Sequence, residues 1–576
     1  MEKTNQEIAK LLYEMVELLE INEVPFKPRA FERAARAVES YGDSVAGIFK
    51  KGGKDSLRKI PGVGEGIADR IAEFLTTNKI HDYEQMKKKM PVDVAELSSV
   101  EGIGPKTIKT LYWKLKIKNI KNLEKAARAG KLQKLPRFGK KLEEKILKGI
   151  EFQRTSAGRI PLGEALPVAR LIIEQLKKSG LVSNISLAGS ALRWQETVGD
   201  IDILATSSKP RAVMDFFVRL PVVKAVLANG DTKTMVRLVI GVDADLRVIP
   251  KESFGAALQY FAGDKSHNIA VRTIAEKKGY RLNEYGLFRG KKKVAGAVER
   301  EIYKMLGIDW IPFELRRNDG EIDAAQKHKL PNLINLGDIR GDLQVQTNWT
   351  DGEHSIEEMA LEAARLGREY IAITDHTKAL AMTGGADEKK LEKQIRAIDA
   401  LNEKLRKNNV KIIVLKGAEV NILKDGRLDI RDKTLEKLDV VGAAVHSLFN
   451  LPEKEQTARI IHAMENPNVD ILFHPTGRVI NKRPQYKLDM DAIFKAAART
   501  GTILEIDGHP WRLDLKDEHI RCAKEYGCKF VIDTDAHSMR ELSYIEYGIG
   551  QARRGWLEKK DIINALPLKD FLEHLK

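Results

Sequence analysis

The sequence predicts a multidomain α/β protein with a helical N-terminal region, a central sheet domain and a C-terminal distorted βα barrel. Two Gly-x-Gly patterns lie between amphipathic helices before residue 120. Strands near residues 200 and 245 alternate apolar residues with carboxylates, which is the period of a half-buried strand. From residue 338 short apolar strands alternate with helices, as in parallel βα units. The 576 residues suffice for three or four domains with separate cores.

The composition indicates a polyanionic partner and a reducing compartment. The net charge is +16 and the pI is about 9.4, although a Lys/Glu-rich surface of thermophilic type would also raise the charged fraction. Cys522 and Cys528 fit neither a zinc knuckle nor a disulfide framework. The N-terminus has no apolar signal core, and no later run of about 20 apolar residues would span a membrane. We therefore expect a soluble, cytoplasmic protein.

The most informative stretch runs from residue 189 to residue 204. Asp200 and Asp202 stand two residues apart in a strand, so both carboxylates lie on one face. Ile201 and Ile203 point to the opposite, apolar face. The carboxylate face is suited to a hard divalent cation.

A second strand supplies a further carboxylate. Asp243, Asp245 and Arg247 share one face of the strand that follows Val242. Three carboxylates on two neighbouring strands would hold two Mg²⁺ ions roughly 3.5–4 Å apart, one activating a hydroxyl and one neutralising pyrophosphate. A lone Asp-x-Asp is more often a solvated strand face. The ordered set favours nucleotidyl transfer instead.

The turn before these strands completes the pattern. Gly189 and Ser190 offer backbone N–H groups to a triphosphate, and Arg193 adds a fixed positive charge. Gly-Ser, Arg, Gly-Asp-x-Asp and a later carboxylate strand resemble the nucleotidyltransferase superfamily, and in detail the family X DNA polymerases. The sequence departs from that family at Leu192, where a second Arg is frequent, and at Trp194, where a small residue is usual.

The resemblance, which spans roughly residues 5–317, implies a polymerase beta-like palm and thumb. Asp200, Asp202 and Asp245 would bind Mg²⁺ or Mn²⁺, and Asp245 would assist deprotonation of the primer 3′-OH. Arg272 would reach the template strand. Nucleotide contacts are expected from Arg159, Gly189, Ser190, Arg193, Gly199, Tyr260, Phe261, Gly263 and Asn268. Tyr260 and Phe261 would disfavour a ribose 2′-OH, although both also fit plain core aromatics.

Two short repeats indicate DNA binding. The segments 60–64 and 100–107 each place a Gly-x-Gly turn before a helix, where backbone N–H groups approach a phosphate. One copy would be an ordinary turn, but two copies and a degenerate third at 135–140 predict helix-hairpin-helix modules. The nearby lysines fit a solvated face or electrostatic contacts with DNA. Expected DNA contacts are Lys27, Gly62, Gly64, Gly102, Gly104 and Lys106.

The N-terminal domain departs from its family in one activity. Residues 25–31 resemble the start of the family's lyase domain, and Lys27 matches a lysine that binds a 5′-phosphate. The family's Schiff-base lysine falls on Arg70, and a second pocket lysine falls on Gly66. A guanidinium stays protonated and cannot be an amine nucleophile. We therefore expect the domain to grip DNA without efficient deoxyribose-phosphate lyase activity.

Seven polar residues follow the predicted barrel strands, where such a fold builds its site. They are Asp351, His376, Glu419, His446, His474, Asp535 and His537. Any one of them would be an ordinary structural residue, but together they predict a metal cluster. Their order resembles the polymerase and histidinol phosphatase (PHP) domain. That resemblance implies Mn²⁺ or Zn²⁺ and 3′–5′ exonuclease or related phosphodiesterase chemistry on DNA ends.

The first motif of that domain is altered. Gln344 and Gln346 stand where the family has two histidine ligands, and Asp507 stands where Asn is common. An amide oxygen is a poor replacement for imidazole on Mn²⁺ or Zn²⁺. We hypothesise that one metal is weakened or lost and that nuclease activity is reduced or absent. The fold would then serve DNA binding or hold the polymerase core.

The sequence thus predicts a DNA-directed DNA polymerase that fills short gaps during base excision repair. Its expected partners are gapped or primed duplex DNA and deoxynucleoside triphosphates, and a monomer is expected. Two alternatives are a metal-dependent nuclease that uses the core to position DNA, and a non-catalytic DNA-end scaffold. The expected divisions are an N-terminal domain (1–84), a fingers-like domain (85–158), palm (159–250), thumb (251–317), linker (318–337) and PHP domain (338–576).

Overall fold

A computed structural model describes residues 5–21, 27–41, 44–60, 62–98, 100, 103–135, 138–140, 142–144, 146, 147, 150 and 158–576. The chain divides into two compact units, one comprising 1–157 with Asn481–Arg483 and the other comprising the rest. Gly102, Pro25, Phe26, Pro61, Pro136 and Arg137, which entered the predictions above, lie outside the described residues.

The first unit is helical and packs around one apolar core. Its helices are amphipathic, and Leu12, Ile71 and Leu111 are among their fully buried side chains. Helix bounds are Asn5–Ile21, Lys27–Ser40, Val45–Leu57, Glu65–Thr77, His81–Lys89, Val94–Ser98, Pro105–Leu115 and Ile120–Arg128, followed by a 3₁₀ turn at Leu132–Lys134. This arrangement agrees with the predicted helical N-terminal region.

The palm of the second unit, within the described range 158–250, is built on a sheet of five strands. The strands of the region are β1 (Ile160–Pro161), β2 (Asn184–Leu187), β3 (Thr197–Val198), β4 (Asp200–Thr206), β5 (Val223–Asn229), β6 (Lys233–Leu238) and β7 (Asp243–Val248). The five-stranded sheet has the order β2-β4-β7-β6-β5. Helices Leu162–Lys178, Gly189–Leu192 and Pro210–Phe217 accompany them. Burial alternates along β7, so apolar residues face the core and carboxylates face outward.

The thumb follows as a helical subdomain with a small antiparallel sheet. Its strands are β8 (Arg281–Asn283), β9 (Gly286–Arg289) and β10 (Lys292–Ala295). Its helices are Phe254–Ala262, Lys265–Lys277 and Glu299–Met305, with 3₁₀ turns at Lys251–Ser253 and Phe313–Leu315.

The segment 318–337, which we expected to be a polar linker, is packed against the thumb. It contains the helix Glu321–Gln326, and a 3₁₀ turn follows at Leu336–Asp338. Ala325 and Leu333 join the buried thumb core. Because the segment is mostly polar, its composition did not reveal that its few apolar residues pack against the thumb.

The C-terminal domain is a distorted barrel of seven parallel strands in sequence order, within the fully described range 338–576. They are β11 (Gly341–Val345), β12 (Tyr370–Ile373), β13 (Ile413–Asn421), β14 (Val440–Ala444), β15 (Ile471–Leu472), β16 (Ile503–Asp507) and β17 (Phe530–Asp533). A bridge between Val345 and Ala536 brings the first and last strands together, so the barrel is nearly closed. The predicted βα barrel is confirmed.

Helices cover the outside of the barrel. They are Ile356–Arg365, Glu388–Lys407, Asp432–Leu435, Glu453–Met464, Met490–Thr500, Asp517–Glu525, Ile545–Arg554 and Leu568–Leu572, with 3₁₀ turns at Ala381–Thr383, Met539–Tyr544, Lys559–Asp561 and Ile563–Ala565. Among the described residues, no helix combines the length and apolarity needed to cross a membrane.

Candidate functional site

The palm carboxylates lie side by side on one face of the sheet. Strands β4 and β7 run parallel in a register that pairs Asp202 with Asp245 and Asp200 with Asp243. Burial, together with Asp200 and Asp245, raises the pKa of Asp202 to about 6. Oδ1 of Asp245 is buried without a hydrogen-bond partner, while Oδ2 lies 3.3 Å from a guanidinium nitrogen of Arg247. Crowded acids with an unpartnered oxygen fit a divalent cation.

The Gly-Ser turn approaches these carboxylates closely. Gly189 has a φ of 60°, and a Cβ there would collide with the carboxylate of Asp202. The hydroxyl of Ser190 is buried without a hydrogen-bond partner. Arg193 donates to the carbonyl of Ala262 at 2.9 Å, and burial lowers its pKa to about 10. The turn therefore places an unpartnered hydroxyl and a guanidinium beside the acids, as a triphosphate site requires.

Arg159 is fixed at the far end of the same turn. Its Nε donates to Oγ1 of Thr197 at 2.9 Å, and Nη2 donates to the carbonyl of Thr197 at 2.5 Å. A Cβ on Gly199 would lie 3.1 Å from Nη1 of Arg159. The sequence-predicted pair Arg159 and Gly199 is thus in contact.

The predicted nucleotide pocket contains two aromatic rings and a guanidinium group that contact one another. The rings of Tyr260 and Phe261 meet edge to face at 5.0 Å, and the guanidinium of Arg247 lies 4.8 Å from the ring centre of Phe261. Nδ2 of Asn268 donates to the carbonyl of Tyr260 at 2.6 Å and of Gly263 at 3.3 Å. These two hydrogen bonds set the orientation of the Asn268 amide.

A buried polar network supports that pocket, and no sequence pattern indicated it. Nδ1 of His267 lies 2.7 Å from Glu321, and Nε2 lies 3.3 Å from the hydroxyl of Tyr303. Backbone N–H groups of Asn318 and Asp319 donate to the same carboxylate. The predicted template contact Arg272 is half-buried on the Lys265–Lys277 helix.

The helical unit repeats one turn geometry. The N–H of Val63 donates to the carbonyl of Ile60 at 3.0 Å, and the N–H of Ile103 donates to Val100 at the same distance. Gly64 and Gly104 are the N-caps of the helices that follow, without side-chain caps. Both helix N-termini thus leave backbone donors available for an anion. Lys27 and Lys106 are exposed, and Gly62 has a φ of 77°.

The residue at the predicted lyase position is tied to its neighbours. Nη1 of Arg70 donates to the carbonyl of Gly66 at 2.6 Å, and Nη2 forms a short ion pair with Asp82. The guanidinium also lies 5.7 Å from the ring centre of Phe31. Arg70 therefore fills a structural position.

The barrel brings the predicted metal ligands together at the carboxyl ends of its strands. Candidate ligand atoms of Asp351, His376 and His537 lie within 4.8 Å of one another. Asp351 is 3.8 Å from a ring nitrogen of each histidine, and its Oδ1 is buried without a hydrogen-bond partner. This set of one oxygen and two imidazole ligands fits Mn²⁺ or Zn²⁺.

A second group shares His376 and is centred on Glu419. Atoms of His376, Glu419 and His446 again lie within 4.8 Å of one another. Nε2 of His446 and of His474 lie 2.9 Å and 2.8 Å from Oε1 of Glu419. Burial raises the pKa of Glu419, but His376 and His446 outweigh it and hold the pKa well below the usual range. The Glu419 carboxylate is thus ionised and surrounded by histidines, which suits it to contact two cations.

The glutamines face this cluster from β11. Gln344 and Gln346 are fully buried, and Nε2 of Gln346 donates to Oε2 of Glu419 at 2.8 Å. Neither amide atom of Gln344 has a hydrogen-bond partner. An N–H of Gln346 therefore occupies one carboxylate oxygen of Glu419, and the two amide groups are poorer ligands for Mn²⁺ or Zn²⁺ than imidazoles.

Arg512, a positively charged side chain beside the acids of the barrel, was not predicted from the sequence. Nε of Arg512 lies 3.6 Å from Oδ2 of Asp507 and 3.4 Å from Oδ2 of Asp535. Burial raises the pKa of Asp507, and Asp535 raises it further. Burial and Asp507 likewise raise the pKa of Glu505. A basic residue shortly after a strand that ends in two acids was the only available signal for Arg512.

Four family models match the chain. They are the helix-hairpin-helix domain at residues 3–80, the SAM-like helix-hairpin-helix tandem at 94–151, the DNA polymerase beta thumb at 257–317 and the PHP domain at 342–559. The predicted helix-hairpin-helix modules, thumb and PHP domain are thereby confirmed.

Curated relatives agree with this order of domains. The chain is 38% identical over 577 residues to the DNA polymerase/3′-5′ exonuclease PolX of Bacillus subtilis, covering 99% of each protein. It is 28% identical over 255 residues to a "Probable phosphatase" of Thermoanaerobacter sp., covering 41% of this chain and 95% of the relative. DNA polymerase lambda of Arabidopsis thaliana is 25% identical over 294 residues, or 45% of this chain and 53% of the relative.

Proposed function

The chain belongs to the family X DNA polymerases that carry a PHP domain, and we propose that Asp200, Asp202 and Asp245 perform its DNA-templated synthesis. The observation that carries this proposal is the parallel register of β4 and β7, which sets Asp202 beside Asp245. The Gly-Ser turn lies directly against Asp202. The enzyme is a DNA-directed DNA polymerase with a 3′–5′ exonuclease domain.

The palm residues have separate roles in nucleotidyl transfer. Mg²⁺ or Mn²⁺, when bound, would favour ionisation of the primer 3′-OH and neutralise the departing pyrophosphate. Asp200, Asp202 and Asp245 would hold these ions, and Asp245 would accept the hydroxyl proton or direct it to water. Ser190, whose hydroxyl has no hydrogen-bond partner, and Arg193 would hold the triphosphate.

The pocket behind the acids selects the nucleotide. Tyr260 and Phe261 form a rigid aromatic pair that would pack against the sugar and disfavour a 2′-OH. Asn268 would contact the minor-groove edge of the incoming base, and its bonds to the backbone carbonyls of Tyr260 and Gly263 set the orientation of its amide before the base arrives. Arg272 reaches the template strand.

The helical unit would hold DNA around a gap. Its repeated turns present backbone N–H groups to phosphates, which position a strand without reading its sequence. Short-gap filling in base excision repair is the role we propose. We also propose that the protein acts as a monomer in the cytoplasm. We retain the domain divisions predicted from the sequence, except that residues 318–337 are assigned to the thumb, on which they pack.

For the PHP domain we propose two intact metal positions and one weakened position. Asp351, His376 and His537 form the first, and Glu419 with His446 and His474 forms the second. The weakened position is the one beside Gln344 and Gln346, where amides replace the imidazoles of the family and Gln346 donates an N–H to Glu419. We therefore expect 3′–5′ exonuclease activity to be present but weakened.

The polymerase assignment is tested by Asp200→Ala on a primed, one-nucleotide-gapped duplex. We expect extension to fall by at least about 1,000-fold because one metal ligand is removed, while the dissociation constant for DNA changes by less than about threefold. Asp215→Ala is the matched control, since Asp215 lies in the same domain and pairs only with Arg211 among its described ion pairs. Undiminished extension by Asp200→Ala would refute the assignment.

A further inference from the structure

The nucleotide-binding turn of the palm rests on the PHP domain. We define the triphosphate turn as residues 189–199 and the docking helix as Ile545–Arg554, which belongs to the barrel. The indole of Trp194 meets the ring of Tyr547 edge to face at 6.0 Å and 77°. Trp194 directly follows Arg193, so whatever fixes the indole also fixes the backbone that carries the guanidinium.

Gly550 provides the surface against which the indole of Trp194 packs. A Cβ on Gly550 would lie 2.6 Å from Cε3 and 2.8 Å from Cδ2 of Trp194. Glycine inside a helix is less favourable than alanine by about 1 kcal/mol. Its lack of a side chain here allows the close approach of the ring.

The backbone of the turn needs such support. Trp194 has a φ of 53°, in the left-handed region that residues with a Cβ seldom adopt. A conformation of this kind persists when its surroundings hold it. The docking helix provides part of those surroundings.

Two arginines of the barrel fix the neighbours of Trp194. Nη1 of Arg554 donates to the carbonyl of Arg193 at 3.2 Å. Nη2 of Arg478 lies 2.8 Å from Oε2 of Glu196. Arg554 is itself buried and ion-paired with Asp517 inside the barrel. The turn is therefore held at three points, residues 193, 194 and 196, by groups outside the palm.

The apolar core of the palm continues across the same boundary. Ile480, Leu513 and Tyr547 of the barrel belong to one buried cluster with Leu162 and Val198 of the palm. Core packing of this type resists relative displacement, because interior side chains are close-packed. Small movements of the docking helix would therefore be transmitted to the turn.

We propose that the docking helix is a working part of the polymerase site, with Trp194, Gly550 and Arg554 as positioning residues for the triphosphate. They hold Arg193 and Ser190 at the distance and orientation that the incoming nucleotide requires. The barrel then serves DNA synthesis whatever the state of its own metal positions. This inference rests on the proposed assignment of the triphosphate turn.

The docking helix also contacts the palm away from the turn, which supplies a matched control. Glu546 forms two bonds with Arg170, at 2.7 Å and 2.8 Å. Arg170 lies on the Leu162–Lys178 helix, and its side chain is half exposed. Replacing one partner of this pair would therefore weaken a contact between helix and palm without adding an atom against the indole.

The test is Gly550→Ala, which adds one methyl group against the indole and leaves the palm sequence unchanged. Alanine favours the helix, so the barrel should fold. We expect KM for the incoming deoxynucleotide to rise about tenfold, with kcat within about threefold, because a displaced turn loses ground-state contacts with the triphosphate. Glu546→Gln should leave KM within about twofold.

A double-mutant cycle separates positioning from general damage. Trp194→Leu should itself raise KM, but Gly550→Ala should add less than about twofold in that background, because the clash partner is gone. Trp194→Phe should lie between wild type and Trp194→Leu. An unchanged KM in Gly550→Ala, or additive effects in the cycle, would overturn the inference.

The outcome is distinguishable from failure of the polymerase assignment. Asp200→Ala reports on that assignment through loss of extension, whereas Gly550→Ala reports through KM with turnover retained. Metal content of the PHP domain is measured in the same samples. A parallel loss of barrel metal and of nucleotide affinity would indicate disrupted folding and would contradict a local positioning role.

Discussion

Asp202 illustrates how its surroundings adapt a single residue to cation binding. Its pKa is raised to about 6 by burial and by Asp200 and Asp245. The folded chain thus keeps a cluster of negative charge that is unfavourable without a cation. This arrangement is the residue-level reason for assigning catalysis to the palm.

His267 gives a pH-dependent prediction at this scale. Burial lowers its pKa below the ordinary value of 6.5, so the folded form stays neutral where the unfolded chain takes up a proton. Its contribution to stability is therefore constant above pH 6.5 and declines as the pH falls below it. We expect His267→Asn, which keeps a donor for Glu321, to weaken the acid sensitivity of unfolding.

The measurement is the urea midpoint of both proteins at pH 7.5 and pH 5.5. Burial also lowers the pKa of His354, His376, His474 and His519, so the difference between the two proteins is the informative quantity. Equal acid shifts in wild type and His267→Asn would contradict the role given to His267.

Arg70 yields a second residue-level prediction. Because its guanidinium is bound to Gly66 and Asp82 and cannot form an imine, borohydride should trap no covalent adduct with a 5′-deoxyribose phosphate end. A family member with a lysine at this position is the positive control. A stable adduct at wild-type levels of that control would show that another amine serves as nucleophile.

Residues whose role depends on a strand period could be predicted from the sequence. The alternation of β4 and β7 places Asp202 and Asp245 on one face, and the structure brings them together. Arg512 and His267 could not be foreseen in the same way. Their partners, Asp535 and Glu321, are fixed by tertiary packing and are set by no local pattern.

At the scale of elements, β11 is the strand that carries the departure from the PHP family motif. It carries Gln344 into the interior, and Gln346 directly follows the strand, so both face the metal cluster. An imidazole can offer a lone pair where the amide of Gln346 now donates to Glu419. The strand itself is otherwise an ordinary buried parallel strand.

We predict that Gln344→His with Gln346→His increases both metal content and nuclease activity. The double variant should bind about one more Mn²⁺ or Zn²⁺ per chain, because two imidazoles complete the third position. Elemental analysis and shortening of a labelled primer measure the two effects. The nuclease gain should disappear when His376→Ala is added, and an unchanged metal content would contradict the prediction.

Elements also show where sequence patterns reach their limit. Strand–helix alternation sufficed to predict the barrel, since each strand is a short apolar run. The segment 318–337 was predicted as a linker because its composition is polar. In the structure Glu321 is fully buried and accepts hydrogen bonds inside the thumb, which composition alone cannot indicate.

At the scale of the whole molecule, the palm, thumb and barrel belong to one compact unit. Palm and barrel share an apolar cluster, and the triphosphate turn is seated on the docking helix. The order of motifs along the sequence predicts the domains. It does not predict the contact between palm and barrel, because the residues that form the contact lie far apart in sequence. The two chemical centres are therefore parts of one structure with separate ligand sets.

We expect the palm to synthesise DNA efficiently and the altered barrel site to cleave it weakly. The most direct test uses a 5′-phosphorylated duplex with a one-nucleotide gap and Mg²⁺ or Mn²⁺, with and without deoxynucleotides, and follows the primer length. We predict extension by one templated nucleotide, and only slow shortening when nucleotides are absent. Rapid shortening without extension would contradict the account, because it would place the principal activity in the barrel.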